Sequence, residues 1–353
     1  MDNFEGCICF AIPRKMFQRL IDRAPEDATP GLARHMRHSH ELRALRCETA
    51  PAPKARARKL RRNVYDLGGT ESLPGRLVRA EGGKPAHDDA ANEAFDNIGI
   101  ALAFLREVFG RNSLDGRGMQ VDSAIHYGER FQNAMWNGRQ MIIGDGDETI
   151  GGFAGSLDII THELTHGLTQ HLIPGGLGVV KIPVKEREFR QQKYSLRGQA
   201  GALNESLSDI FASMVTQWHL GQAAEQADWL IGEGLLAPMY GRAVRSLKSP
   251  GNRKLTWYAD DQMKSMDQYV EGGDVHDASG IPNHAFYTTA IKMGGHSWEK
   301  TGPIWLEAFE TLGPQASFAE LAQATLNVAS ARHGAKSDEA KAVKAGWRKV
   351  KVL

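Results

Sequence analysis

The sequence is poor in cysteine, in long apolar runs and in net charge. Its 353 residues hold three cysteines, Cys7, Cys9 and Cys47. Nothing beyond residue 47 can therefore form a disulfide, and the main body cannot bind a metal through thiolates. No run approaches the roughly 18 apolar residues of a membrane span, so no membrane partner is expected. With 43 Lys+Arg against 42 Asp+Glu the formal charge is +1, which excludes a globally basic nucleic-acid binder. A secretory signal is not expected at the start either. Asp2 and Glu5 stand where a positive n-region belongs, and the apolar run from Cys7 to Ile12 is short and ends at Pro13-Arg14-Lys15. The 41% of hydrophobic residues suffices for a sizeable core, and the length suggests roughly two domains.

Residues 1–50 read as a small appendage, with Met16, Leu20 and Ile21 at helical spacing. Residues 53–62, PKARARKLRR, are basic with no acidic partner and no interleaved aromatics. That pattern fits a solvated, protease-accessible linker better than a nucleic-acid arm. From Val64 the texture is globular. The spacing predicts a helix over 92–109 with Gly110 as its C-cap, then short strands at 124–127 and 140–143 with turns at Asn137-Gly138 and 144–147. After Gly155 helices are predicted over 157–172, 202–220, 281–293, 298–312 and 318–333. The result is a β-rich half followed by an α-rich half, divided near residue 170.

Thr161-His-Glu-Leu-Thr-His166 contains the pattern H-E-x-x-H. On a helix the two histidines face the same way one turn apart, a separation at which they can share a tetrahedral Zn²⁺. Glu163, beside the first, can reach a metal-bound water without binding the metal. Downstream, Gly201-Ala-Leu-Asn-Glu205-Ser-Leu-Ser-Asp209 offers Glu205 as a third ligand. Asp209, one turn on, can accept the free ring N–H of a ligand histidine.

HELTH followed by GALNESLSD resembles the paired signature of the thermolysin-like zinc metalloendopeptidases, the M4 family, in its protealysin-like branch. Three more blocks fit in order: Asn133-Ala-Met-Trp-Asn-Gly138, Arg245-Ser-Leu-Lys-Ser-Pro250 and Gly272-Gly-Asp-Val-His276-Asp-Ala-Ser-Gly-Ile-Pro-Asn283. The resemblance covers about Val64 to the C-terminus. It implies an α+β, thermolysin-like two-domain fold with a zinc cleft between its halves, preceded by a short propeptide. It implies zinc on His162, His166 and Glu205, Glu163 as general base, and His276 as transition-state stabiliser. Arg245 would hold a substrate carbonyl, and Asn133 with the Ala134 carbonyl would hold the peptide main chain. The acidic partner of His276 falls by family position on Glu271, with Asp274 competing. The expected pocket after the cut bond falls on Phe153, Ile159, Ile231 and Val244, which favours large apolar side chains there.

Cys9 to Leu20 resembles the propeptide of protealysin-like precursors, which implies a proenzyme inhibited by its own N-terminal segment. The implied divisions are a propeptide over 1–52, a processing linker over 53–62, a β-rich domain over 63–170 and a helical domain over 171–353. Cys7 or Cys9 is either a cap on the zinc or a small buried apolar residue. His35, His38 and His40 read as an exposed polar face.

The sequence departs from the family at Glu271, where the family usually has Asp, and in three further places. An insertion separates His166 from Glu205, and it reads as a lid or a surface loop. Tyr194 is the nearest candidate for the family's second oxyanion donor, at a shifted offset from Glu205. Asp158, Asp228 and Glu233 match calcium-site positions, but Thr216 and Leu230 stand where further carboxylates belong. Calcium is therefore expected to bind weakly or not at all. The family implies secretion, and a cytoplasmic enzyme is the alternative. A monomer acting on peptides or proteins is expected, and a catalytically silent peptide-binding protein on the same scaffold is the competing reading.

Overall fold

The computed structural model describes residues 9–23, 61–182 and 193–353. The first half builds a six-stranded mixed sheet. In chain order its strands are β1 (Cys9–Phe10), β2 (Arg62–Asp66), β3 (Arg76–Ala80), β4 (Val121–Ile125), β5 (Ala134–Trp136) and β6 (Met141–Ile143). Across the sheet they run β1-β5-β6-β4-β2-β3. Among the described residues, α1 (Arg14–Ile21) and α2 (Asp89–Phe109) accompany them, and Gly110 closes α2 in the left-handed conformation its position predicts. β5 returns antiparallel on β6 through the Asn137-Gly138 turn, where Gly138 has φ +91°. β1 closes the sheet antiparallel to β5, with Cys9 opposite Trp136 and Phe10 opposite Met135. The start of the chain thus lies along a sheet edge laid down by residues over a hundred positions later.

The second half is helical. It begins with α3 (Leu157–Leu172), then the hairpin of β7 (Val179–Ile182) and β8 (Lys193–Leu196), then α4 (Gly198–Leu220). The expected insertion is this hairpin, whose tip lies outside the described residues. A short ribbon follows, β9 (Leu230–Ile231) on β10 (Arg245–Ser246). The remaining helices are α5 (Val275–Ala278), α6 (Gly280–Met293), α7 (Thr301–Glu310), α8 (Phe318–His333) and α9 (Asp338–Lys349). Helices α3 and α8 start and stop where the apolar spacing predicts. α9 is not foreshadowed, because its buried face is only Ala340, Ala342, Val343, Gly346 and Trp347. Ser337 caps it, and Trp347 stacks on Trp305 with ring centroids 6.0 Å apart.

α3 is buried continuously from Ile159 to Thr169, and α4 nearly so from Ala200 to Val215. Helices covered on all sides this way can carry polar groups only where those groups meet partners. Gly167 lets α3 come close to β5: an added methyl would lie 2.9 Å from the Trp136 ring and from Leu114.

A second polar contact clamps the first half. His126 is bonded through Nδ1 to Asp145 at 2.7 Å and through Nε2 to Asp88 at 2.7 Å, and Asp88 also caps α2. Partial burial disfavours a charged ring, but the Asp88 and Asp145 carboxylates outweigh it and raise the His126 pKa. Stability from this clamp is full below the ring's unfolded pKa, about 6.5. It is lost as pH rises through the raised folded value. The melting-temperature gap between wild type and His126→Gln should therefore narrow as pH rises from below the unfolded pKa through the raised folded one. A gap constant across that range would contradict the clamp.

Candidate active site

α3 presents His162, Glu163 and His166, and α4 presents Asn204, Glu205 and Asp209, all buried. The ring nitrogens sort themselves by their partners. His166 Nδ1 lies 3.0 Å from the Asn204 carbonyl oxygen, which can only accept. His162 Nδ1 lies 2.9 Å from an Asp209 carboxylate oxygen. Both Nδ1 atoms therefore donate, and both Nε2 atoms turn lone pairs toward a common point, 3.3 Å apart. Two lone pairs do not hydrogen-bond to each other; they share a cation.

Glu205 Oε2 completes the convergence. It stands 3.3 Å from His162 Nε2, 3.8 Å from His166 Nε2 and 3.5 Å from His276 Nε2. A tetrahedral zinc with bonds of about 2.0–2.1 Å separates its ligand atoms by about 3.3–3.4 Å, so these spacings fit zinc. Glu205 Oε2, Glu163 Oε1 and His276 Nε2 are buried and find no hydrogen-bond partner among the described residues, an arrangement that needs a cation or substrate to be tolerable. His162, Glu163 and His166 also form a compact ligand group, their ligand atoms within 4.8 Å of one another. Glu163 is nevertheless the less suitable third ligand, because its Oε2 already accepts the Trp136 N–H at 2.7 Å.

The electrostatics agree. Burial opposes charge on His162, but the Asp209 and Glu205 carboxylates override it and hold the ring at about 9. Burial likewise opposes the Glu205 charge, yet His276, His166 and His162 bring that carboxyl down to about 2. The pocket thus calls for positive charge. A proton on His162 would answer only part of that demand; a divalent ion would satisfy both rings and the carboxylate together. Burial is the largest cause that takes His166 down to about 4, with the His162 charge adding to it, and Glu163 up to about 8, with the Glu205 charge adding to it.

Asp209 is the hub behind the ligands. It takes Arg245 Nε at 3.0 and 3.1 Å and Nη2 at 2.9 Å, and Asn283 Nδ2 at 2.9 Å, besides His162. Sequence reasoning foresaw an Asp209–histidine contact but not the Arg245, Asn204 or Asn283 bonds. Asparagine in a helix gives no signal until its neighbour across the core is known.

The partner of His276 is corrected here. Its Nδ1 lies 2.8 Å from Asp274, which also accepts the His276 backbone N–H as N-cap of α5. Glu271 instead accepts the Tyr269 hydroxyl at 3.0 Å. The one-turn helix folds residue 274 back onto residue 276 and leaves residue 271 outside.

The edge of β5 is filled. Ala11 N donates to the Ala134 carbonyl at 3.1 Å. The Asn133 amide accepts from Ile12 N and donates to Ile12 O, both at 3.0 Å. Arg245 Nη1 donates to the Ala11 carbonyl at 3.0 Å. Phe153, Ile159, Ile231 and Val244 are all buried.

At the calcium-site positions, Asp158 accepts from Ser156, Ile159 N and Gly232 N, and Glu233 pairs with Arg242. Asp228 is raised first by burial and then by a bond shared with Glu233. Tyr194 lies in β8 opposite Lys181, and its side chain is outside the described residues. So are Cys7, the Cys9 side chain, His35, His38, His40 and most of the basic linker.

Residues 54–170 match the catalytic domain of the thermolysin metallopeptidases, and residues 193–352 match their alpha-helical domain. The chain is 41% identical to an extracellular metalloprotease of Pectobacterium carotovorum subsp. carotovorum, over 92% of this chain and 91% of that one. It is 32% identical to a thermolysin of Alicyclobacillus acidocaldarius subsp. acidocaldarius, over 82% of this chain and 50% of that one. The solved precursor of protealysin, a metalloproteinase from Serratia proteamaculans, superposes with a TM-score of 0.82 at 36% identity. That match covers 98% of this chain and 100% of that one. The chain belongs to the thermolysin family of metallopeptidases. It has the family's fold, a β-rich first half and a helical second half, and it is a zinc-dependent hydrolase of peptide bonds.

Proposed function

We propose that the protein is an endopeptidase made as a proenzyme, with His162, His166 and Glu205 holding one zinc ion. Bound zinc would supply Lewis acidity, which makes water a better nucleophile and the substrate carbonyl a better electrophile. Glu163 is the general base. Trp136 N–H fixes one of its oxygens and leaves the other free to take the attacking water's proton and pass it to the departing amine. Burial, which raises its affinity for that proton, keeps the proton off the solvent until the amine needs it. His276, oriented by Asp274 and raised in pKa by Glu205 and Asp274 against its burial, donates to the developing oxyanion.

Asn133, the Ala134 carbonyl and Arg245 hold the substrate main chain. The supporting observation is that residues 11–12 make these same bonds from within the chain. By this reading the N-terminal segment is the intramolecular inhibitor, spanning 1–52 and released by cutting within 53–62. The peptidase then divides into 63–170 and 171–353, a division that the matched ranges support. Phe153, Ile159, Ile231 and Val244 favour a large apolar side chain after the cut. The extracellular relative supports secretion, and a monomer is the state expected of the proposed enzyme.

Asp158, Asp228 and Glu233 are engaged by backbone, by Arg242 and by each other, so calcium adds little. Elemental analysis of the purified protein should give one zinc and no calcium per chain. Activity should vanish with a chelator and return with zinc. Zinc at a negligible level, or hydrolysis indifferent to its removal, would overturn the proposal.

A further inference from the structure

Beyond the bonds at residues 11–12, the N-terminal segment makes an ionic contact that hydrolysis does not require. Pro13 is extended and α1 starts at Arg14. Lys15 Nζ then reaches Asp277 at 2.5 Å and Asp261 at 2.8 Å. Arg19 pairs with Asp261 as well and donates to the Ala259 carbonyl at 3.0 Å. Asp261 also has a third cation, Arg253, at 2.6 Å, from outside the N-terminal segment. Among the described residues, Lys15 is the only Lys or Arg paired with Asp277. Asp277 follows His276 directly and sits near Asp274, which adds to the negative potential around it.

The main-chain bonds made by residues 11–12 place this notch. If Arg245 holds the carbonyl of the first residue after the cut, that residue is Ala11 and Ile12 is the second. Lys15 comes three residues later, but through the start of a helix, which rises about 1.5 Å per residue against about 3.3 Å for an extended chain. The third to fifth residues of an extended substrate after the cut therefore come within side-chain reach of Asp277.

We propose that Asp277, supported by Asp261, is a specificity-determining residue: once the N-terminal segment has left, the two carboxylates accept a Lys or Arg side chain three to five residues after the cut bond. The physical reason is the one that seats Lys15. A half-buried carboxylate stripped of its partner is costly, and a substrate ammonium or guanidinium replaces what was lost. Arg253 remains on Asp261, so the unmet demand falls on Asp277. This inference rests on the proposed register.

The test uses the processed, zinc-loaded enzyme and peptides that begin at the residue after the cut. Such peptides fill only the post-cut side and are not themselves cleaved there. One set carries Lys, Ala or Glu at the third, fourth or fifth position, and affinities are read by fluorescence anisotropy. The Lys peptide should bind about three- to tenfold more tightly than Ala at one of these positions, with Glu weaker than Ala, and the gap should shrink with salt. The Lys-to-Ala ratio should fall toward one in Asp277→Asn and part of the way in Asp261→Asn. Equal affinities in the wild-type enzyme overturn the proposal, whatever the variants do. Because the readout is binding, a Lys preference in an enzyme that fails to hydrolyse would count against the catalytic assignment and leave Asp277 in its role.

Discussion

Glu163→Gln protein is expected to keep its zinc and its fold and to lose about 10³-fold in kcat. Positioned general bases contribute about 10²–10⁴-fold, and this one has no understudy in reach. Two other buried carboxylates belong to the site: three imidazoles pull the Glu205 pKa down to about 2, and Asp209 is taken up by Arg245, His162 and Asn283, so both are poor proton acceptors. Glutamine keeps the volume of Glu163 and can still accept the Trp136 N–H, so the loss would report proton transfer rather than collapse of α3. Hydrolysis of a chromogenic peptide, zinc content and melting temperature should be measured on the same preparation. Full activity in protein that retains zinc would remove Glu163 from the chemistry. Loss of zinc along with activity would make Glu163 part of the metal cage instead.

Asp209→Ala should be the most damaging single change to stability, costing about 3–5 kcal/mol. It leaves the Arg245 guanidinium, 3% exposed, buried without the carboxylate that takes three of its contacts. It also frees the Nδ1–H of His162 and the amide of Asn283. In a chain of this size the melting temperature should fall by about 4–7 °C. Zinc affinity should weaken by about 10–100-fold as the His162 ring loses its orientation. Asp209→Asn, which preserves shape but not charge, should recover only part of both. Thermal melts and a zinc competition titration read the two effects separately, and a melting-temperature drop under about 2 °C would mean Asp209 is not the hub its geometry describes.

How much was legible beforehand follows the range of each interaction. α3 could be read end to end, because its apolar stripe and histidine spacing lie within one helix and Pro174-Gly175 follows directly after its C-cap. α9 could not, since a face of alanines, one valine and one tryptophan carries too weak a period. Glu205 and Asp209 stood out because they share a helix with a fixed four-residue offset. Asp274 lost to Glu271 in the sequence reading because family position says nothing of a local N-cap that bends the backbone. The bonds from Arg245 to Ala11 and from Asn133 to Ile12 cross more than a hundred residues. Only the closed sheet edge makes them visible.

That edge has a consequence for what the enzyme can eat. If β1 leaves as proposed, β5 would offer a bare row of amides and carbonyls to the main chain of any strand able to lie beside it, with side-chain preference left to the pockets around it. Admission is then governed by slackness. A prospective victim must first surrender a stretch of straightened chain, so tails, loops and half-unravelled proteins are consumed while tightly knit domains pass by. The protease's own buried helices are protected by the same rule.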